Sequence, residues 1–129
     1  MKSISADWLK SAESDLTIIT LIVHDESLTH QVAFHAQQTI EKCLKAIVEE
    51  FELGFIKTHS IRTLIGTVSG IITINAEPGD IIMLDQLYIE SRYPGEIGLL
   101  PFGKPSLESA KKLQTLAFDI YRQISSFLG

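Results

Sequence analysis

Cysteine is nearly missing from this chain of 129 residues, where Cys43 stands alone. A single thiol closes no intrachain disulfide and excludes a four-cysteine zinc site. A chain of this length can bury an adequate core without either, and a lone thiol suits a reducing compartment. Apolar runs are short as well, and none approaches the roughly 20 residues that span a bilayer. Met1 to Trp8 carries one lysine and no long apolar stretch, which does not read as a secretion signal. The expectation is a cytoplasmic protein with no membrane partner. Basic charge is scarce, with 11 Lys and Arg against 16 Asp and Glu and a formal net charge of -5. Such a chain has no overall field that attracts polyanions, which disfavours sequence-independent duplex binding but allows a local basic patch. No glycine-rich phosphate loop precedes a Lys-Ser/Thr pair, and no Gly-x-Ser-x-Gly elbow occurs.

What remains is ordinary globular composition, 45% hydrophobic and 21% charged, which argues against disorder. Residues 1–129 read as a single domain with no internal repeat. Glycine and proline collect between Gly54 and Gly103, so long helices are expected at the ends and shorter ones between. In the first segment, Ser5 to His24, Trp8, Ala12, Leu16, Ile19 and Val23 recur at the helical period, with Ser5 as N-cap. The second, Leu28 to Leu53, lines up Ala33, Ile40, Leu44, Ile47 and Phe51, and Gly54 is placed to end it in a left-handed turn. The third starts at Thr58 or Ser60 and carries Ile61, Leu64, Ile65 and Val68. Its end runs into β-branched Ile71-Ile72-Thr73-Ile74; a lone strand has no partner, so a fraying helix is expected there. Asn75 to Gly79 reads as a loop and Asp80 to Arg92 as the fourth helix, with Ile81, Leu84, Leu87 and Tyr88 inward and Pro94 stopping it. After a loop from Gly95 to Pro105, Ser106 caps the fifth, whose face is Leu113, Leu116, Ala117, Ile120, Tyr121, Ile124 and Phe127. Five helical patterns and no convincing strand predict an all-α, up-and-down bundle of four to five helices.

Chemistry is sought in polar residues that fall inside apolar faces. At about 100° per residue, Asp15 lies between Trp8 and Ile22, Gln37 beside Leu44, and Glu41 at the edge of the same face. Buried carboxylates must be paired, hydrogen-bonded or protonated. Asp15, Gln37 and Glu41 therefore form either an internal network that sets helix register or a polar pocket for a ligand. Glu41 and Lys45 are spaced as a helix-surface ion pair worth about 0.3 to 0.5 kcal/mol, or stand at an interface or phosphate. His24, His30, His35 and His59 include no i, i+4 pair around a glutamate, so no metal site and no cofactor are expected. His35 projects away from the core face of its segment, towards solvent or an oligomer contact. His59 either bonds locally at the start of the third helix or meets a ligand at that helix N-terminus. Arg92 and Tyr93 either close their own helix and pack on the loop, or bind a phosphate and stack on a base. Cys43 reads as core.

These residues resemble a known family. Phe34-His35-Ala36-Gln37-Gln38-Thr39-Ile40-Glu41-Lys42-Cys43-Leu44-Lys45-Ala46 resembles the central helix signature of HEPN domains (higher eukaryotes and prokaryotes nucleotide-binding). Trp8, Ala12 and Asp15-Leu16 resemble the first helix of that family, and Thr58-His59-Ser60-Ile61 with Leu64 its Thr-His-x-Leu start of the third. Tyr88 with Ser91-Arg92-Tyr93-Pro94 resembles its Tyr-x-x-x-Arg-Tyr-Pro segment. The resemblance implies a helical bundle, usually a homodimer, often encoded beside a minimal nucleotidyltransferase as a toxin–antitoxin pair. Other members are metal-independent ribonucleases with Arg, four to six residues, then His. Here the arginines are Arg62, Arg92 and Arg122 and the last histidine is His59, so no histidine follows any arginine.

The expected function is a non-catalytic module that dimerises and pairs with a minimal nucleotidyltransferase, with no catalytic residue. His59, Arg92, Tyr93 and Lys45 are the expected nucleotide contacts, and Asp15, Gln37 and Glu41 their polar support. The alternatives are a divergent ribonuclease or toxin acting on RNA, and a purely structural partner.

Overall fold

The computed structural model describes residues 1–92 and 104–129, with side chains described through Tyr88 and again from Lys104. Five α-helices follow in order: α1 Ser3–Ile22, α2 Thr29–Glu50, α3 Ile61–Val68, α4 Pro78–Arg92 and α5 Leu107–Leu128. One 3₁₀ turn, Glu26–Leu28, joins the first two, with the Asp25 side chain accepting from Ser27 N. Among the described residues there is no strand, so the all-α bundle expected from periodicity is what forms.

α2 is the central helix and touches each of the other four. That position follows from its sequence: Val32, Ala33, Ala36, Ile40, Cys43, Leu44, Ala46 and Ile47 form a broad apolar face, roughly 160° wide at 100° per residue, and are all sealed from solvent. Ala12, Leu16, Ile19 and Val23 of α1 meet it from one side, and Leu113, Ala117, Ile120 and Ile124 of α5 from another. α1 and α2 run antiparallel, since Lys2 at the start of α1 donates its backbone N–H to Glu50 at the end of α2. The Tyr121 hydroxyl ties α5 to Glu13 of α1; burial first, and that carboxylate second, push the phenol up to about 12.

The helix ends show where local reading holds and where it fails. Ser60 caps α3, accepting from Thr63 N at 3.2 Å, and Thr58 accepts from Ser60 N at 3.1 Å. Ser106 caps α5 through Ser109 N. Gly54, at φ +95°, makes the left-handed turn expected of it, although α2 stops earlier, at Glu50. Ser5 does not cap α1: the helix starts at Ser3 and Ser5 is a buried interior residue. Pro78 and Gly79 belong to the first turn of α4 rather than to a loop, because proline at that position gives up an N–H that has no helical partner anyway. The run 71–74 is not a fraying helix. α3 ends at Val68, and Ile71, Ile72 and Ile74 lie half-buried against the core in irregular backbone. Gln123 of α5 stabilises that path, accepting from Asn75 N and donating to Asn75 O, both at 2.8 Å. Phe127, expected inward, is half-exposed at the end of α5.

Candidate functional site

The buried carboxylates and the buried glutamine fall in two clusters, one on each flank of α2. On the α1 side, Asp15 is 6% exposed. Its Oδ1 lies 2.8 Å from His35 Nδ1 and its Oδ2 accepts from Lys42 Nζ at 2.7 Å. His35 and Lys42 are two turns apart on α2, so both reach the same carboxylate. His35 is thus not turned to solvent; it is half-buried and bonded across the helix pair, and its two-turn spacing from Lys42 was the overlooked signal. Burial pushes the Asp15 carboxyl up, but the hydrogen bonds and charge of His35 and Lys42 outweigh it and hold the group below its ordinary 3.8.

A folded-state value below the unfolded one adds stability that is present above the unfolded value and lost as pH falls through the folded one. Native chain is therefore expected to lose stability below about pH 4 faster than Asp15→Asn. Urea titrations at a series of acid pH values read the difference, and parallel losses in the two proteins would remove Asp15 from the acid response.

The second cluster lies on the α3 and α4 side of α2. Gln37, Glu41 and Lys45 follow one another at single-turn spacing along that helix. Glu41, 6% exposed, places Oε1 2.8 Å from His59 Nδ1 and Oε2 3.6 Å from Lys45 Nζ. Gln37 is fully buried and fully satisfied: its Nε2 donates to His59 O at 2.7 Å and to Glu41 at 3.3 Å, and its Oε1 accepts from Gln38 at 2.9 Å. The expected trio of Asp15, Gln37 and Glu41 therefore divides. Gln37 and Glu41 join Lys45 and His59, while Asp15 belongs to the other cluster. The reason is rotational, since Gln37 and Glu41 face the start of α3 whereas His35 and Lys42 face α1.

His59 is held by its backbone as well as its ring. Gln37 binds its carbonyl, and the following residues are clamped by Asp85 of α4. Asp85 Oδ1 accepts from Ile61 N at 2.8 Å, and Oδ2 accepts from Arg62 N at 3.1 Å and from the Ser60 hydroxyl at 3.2 Å. Sequence reading missed Asp85. Its one visible signal was a carboxylate directly after Leu84, on the border of an apolar face.

A row of rings links the two clusters. His35 meets Phe34 edge-on at 5.1 Å between centroids, Phe34 stacks on Tyr88 at 6.0 Å, and Tyr88 meets His59 at 6.0 Å. The Lys45 ammonium lies 5.8 Å from the Trp8 ring. A carboxylate only accepts, so Nδ1 of each imidazole carries the hydrogen and Nε2 is left as the working nitrogen. The His59 side chain is 55% exposed, so this nitrogen can meet a ligand. The arrangement offers positive charge from Lys45 and an oriented imidazole, which suit a phosphate, while Tyr88, 3% exposed, lies buried against the His59 ring and helps to position it. Arg92 ends α4 one turn after Tyr88, and its side chain lies outside the described residues, as does Tyr93. A depression of 620 Å³ lies elsewhere, between the start of α4 and α5, and is lined by Glu77, Asp80, Lys111 and Asp119. It is broad, open and of mixed charge, so the chemistry of the His59 cluster is the better guide.

Residues 5–123 match the family described as HEPN domain. No curated protein and no solved structure matches the chain.

Proposed function

Starting from the chain's membership of the HEPN domain family, we propose that it is a non-catalytic helical module that binds the phosphate and base of a nucleotide or RNA end at the His59 cluster. The observation that carries this reading is Glu41 bridging Lys45 and the outward-facing His59 beside Tyr88. Three donors converge on one buried carboxylate at the edge of the bundle, and the exposed half of His59 gives a ligand access to them. Arg92, one turn along α4 from Tyr88, is the proposed clamp for a phosphate. The module works in the cytoplasm as a homodimer paired with a minimal nucleotidyltransferase, in a toxin–antitoxin arrangement. Two exposed apolar side chains near the end of α1, Ile18 and Leu21, support a second copy packing there. No histidine follows an arginine in the sequence, and this supports binding over cleavage.

Titration calorimetry with ATP tests the nucleotide part. His59→Ala and Lys45→Ala are each expected to weaken binding about tenfold, close to 1.4 kcal/mol, and to lower the thermal midpoint by a few degrees, because the buried Glu41 carboxylate loses one of its three donors. No heat at millimolar ATP, with or without a nucleotidyltransferase, removes this part of the proposal. Sedimentation equilibrium on the same samples reads the dimer. Cleavage of labelled RNA that His59→Ala abolishes would replace the reading with that of a divergent ribonuclease.

A further inference from the structure

A recess of 230 Å³ opens between α3 and the first turns of α4. Ile65, Ile74, Ile81 and Ile82 line it, and Arg62 stands among them. Its walls are fixed from within the fold. Gln123 pins Asn75 by both backbone groups and so holds Ile74 and Ala76 on either side of it. Asp85 ties the start of α3 to α4. Protein interiors leave few voids of this size unfilled, and a preformed apolar hollow with a polar group in it is the usual form of a small-molecule site. An apolar cavity of about 150 Å³ holds benzene, so this larger one suits a chain of about six to eight carbons.

Shape argues against a macromolecule, and charge selects the head group. Among the described residues of α3 and α4, Ile82, 46% exposed, is the one large apolar side chain open to water. The surface therefore offers a hollow and not the broad apolar patch that protein partners use. Two arginine side chains are described. Arg122 pairs with Asp119, whereas the Arg62 guanidinium makes neither a hydrogen bond nor an ion pair. The acids nearby in the chain do not answer it. Both oxygens of Asp85 are taken by Ile61 N, Arg62 N and the Ser60 hydroxyl, and Glu77 and Asp80 line the depression against α5. A guanidinium fork without a partner fits a carboxylate, which accepts two parallel N–H bonds from it. An amine head group would be repelled, and a neutral one would leave Arg62 unpaired.

We infer that this recess binds a small amphipathic carboxylate, with its apolar chain against the four isoleucines and its head group on Arg62. The isoleucines supply affinity in proportion to the apolar area they cover, and the guanidinium fixes which end of the ligand faces out. The recess has no residue in common with the His59 cluster, so it stands or falls independently of nucleotide binding.

Sodium octanoate is the probe, titrated into the full chain and followed by calorimetry and amide shifts, with octylammonium, octanol and acetate as controls. Octanoate is expected to bind saturably, and octylammonium and acetate about tenfold more weakly or less tightly still. Arg62→Met keeps an apolar stem and removes the charge. It is expected to weaken octanoate about tenfold, to leave octanol unchanged and to keep the thermal midpoint, since the guanidinium has no partner within the fold. Ala76→Leu adds bulk to the lining and is expected to weaken octanoate and octanol alike. Amide shifts should concentrate at Ile65, Ile74, Ile81 and Ile82, and saturating ATP should not change the octanoate affinity. Equal octanoate affinity in the native and Arg62→Met proteins, equal binding of octylammonium, or no saturable binding at millimolar octanoate would overturn the inference. Shifts gathered instead at Ile4 and Phe55 would overturn it as sorption on exposed apolar side chains. Binding to anionic vesicles that Arg62→Met abolishes, with no binding of free octanoate, would overturn it in favour of a membrane lipid.

Discussion

Asp85→Ala is expected to lower stability by about 3 kcal/mol, because two backbone N–H groups and a hydroxyl lose a charged acceptor together. For a chain of this size that is a fall of about 10 °C in the melting midpoint. The effect is large because α3 is short and has few other means of holding its first turn: Ile61 N and Arg62 N are both satisfied by this one side chain, and Ser60 is anchored by it. Asp85→Asn keeps one acceptor oxygen and is expected to cost about half as much. The residue touches no part of the proposed ligand, yet it sets the backbone that follows His59. Nucleotide affinity should therefore fall in Asp85→Ala even under conditions where the protein remains folded. A midpoint within about 2 °C of the native value would show that α3 is held by Ile61 and Leu64 packing alone.

Glu41 separates fold from binding. Glu41→Ala leaves the Gln37 amide, the His59 Nδ1–H and the Lys45 ammonium facing a gap on a buried part of α2. Removing one member of a buried charged set costs about 3 to 5 kcal/mol; the partial exposure of His59 and Lys45 lets both turn to water, so about 2 to 3 kcal/mol is expected here. Glu41→Gln keeps an oxygen for the His59 hydrogen and removes the negative charge. Its stability loss should be nearer 1 kcal/mol, and ATP, an anion, should bind no more weakly than to the native chain, and more tightly at low salt. A tenfold loss of ATP affinity in a well-folded Glu41→Gln protein would mean that the carboxylate charge on His59 is itself needed for the contact.

Particular residues show how far sequence reading reaches. The burial of Asp15, Gln37 and Glu41 was legible because each stands at a definite angle on a helix whose other members there are apolar. Their partners were not, since the spacing within one helix says nothing about which neighbour rotates towards it. His35 is the clearest case. Measured against the α2 core face it points away, but α1 packs on that flank and brings Asp15 to it. Gln123 gave no sign of its role because a glutamine on a polar face looks the same whether or not it satisfies a distant stretch of backbone. Phe127 was misplaced because the periodic face of α5 continues beyond the point where the bundle ends and nothing remains to cover it.

Periodicity, two serine caps and one left-handed glycine were enough to dictate five helices and an all-α bundle, because those signals act within a few residues of chain and need no knowledge of distant contacts. The division of the buried polar groups into a His35 and a His59 cluster, the Asp85 clamp, and the apolar recess beside Arg62 were set by packing. They depend on how α1, α3, α4 and α5 are rotated and staggered around α2, and that arrangement arises only when all five apolar faces compete for one interior.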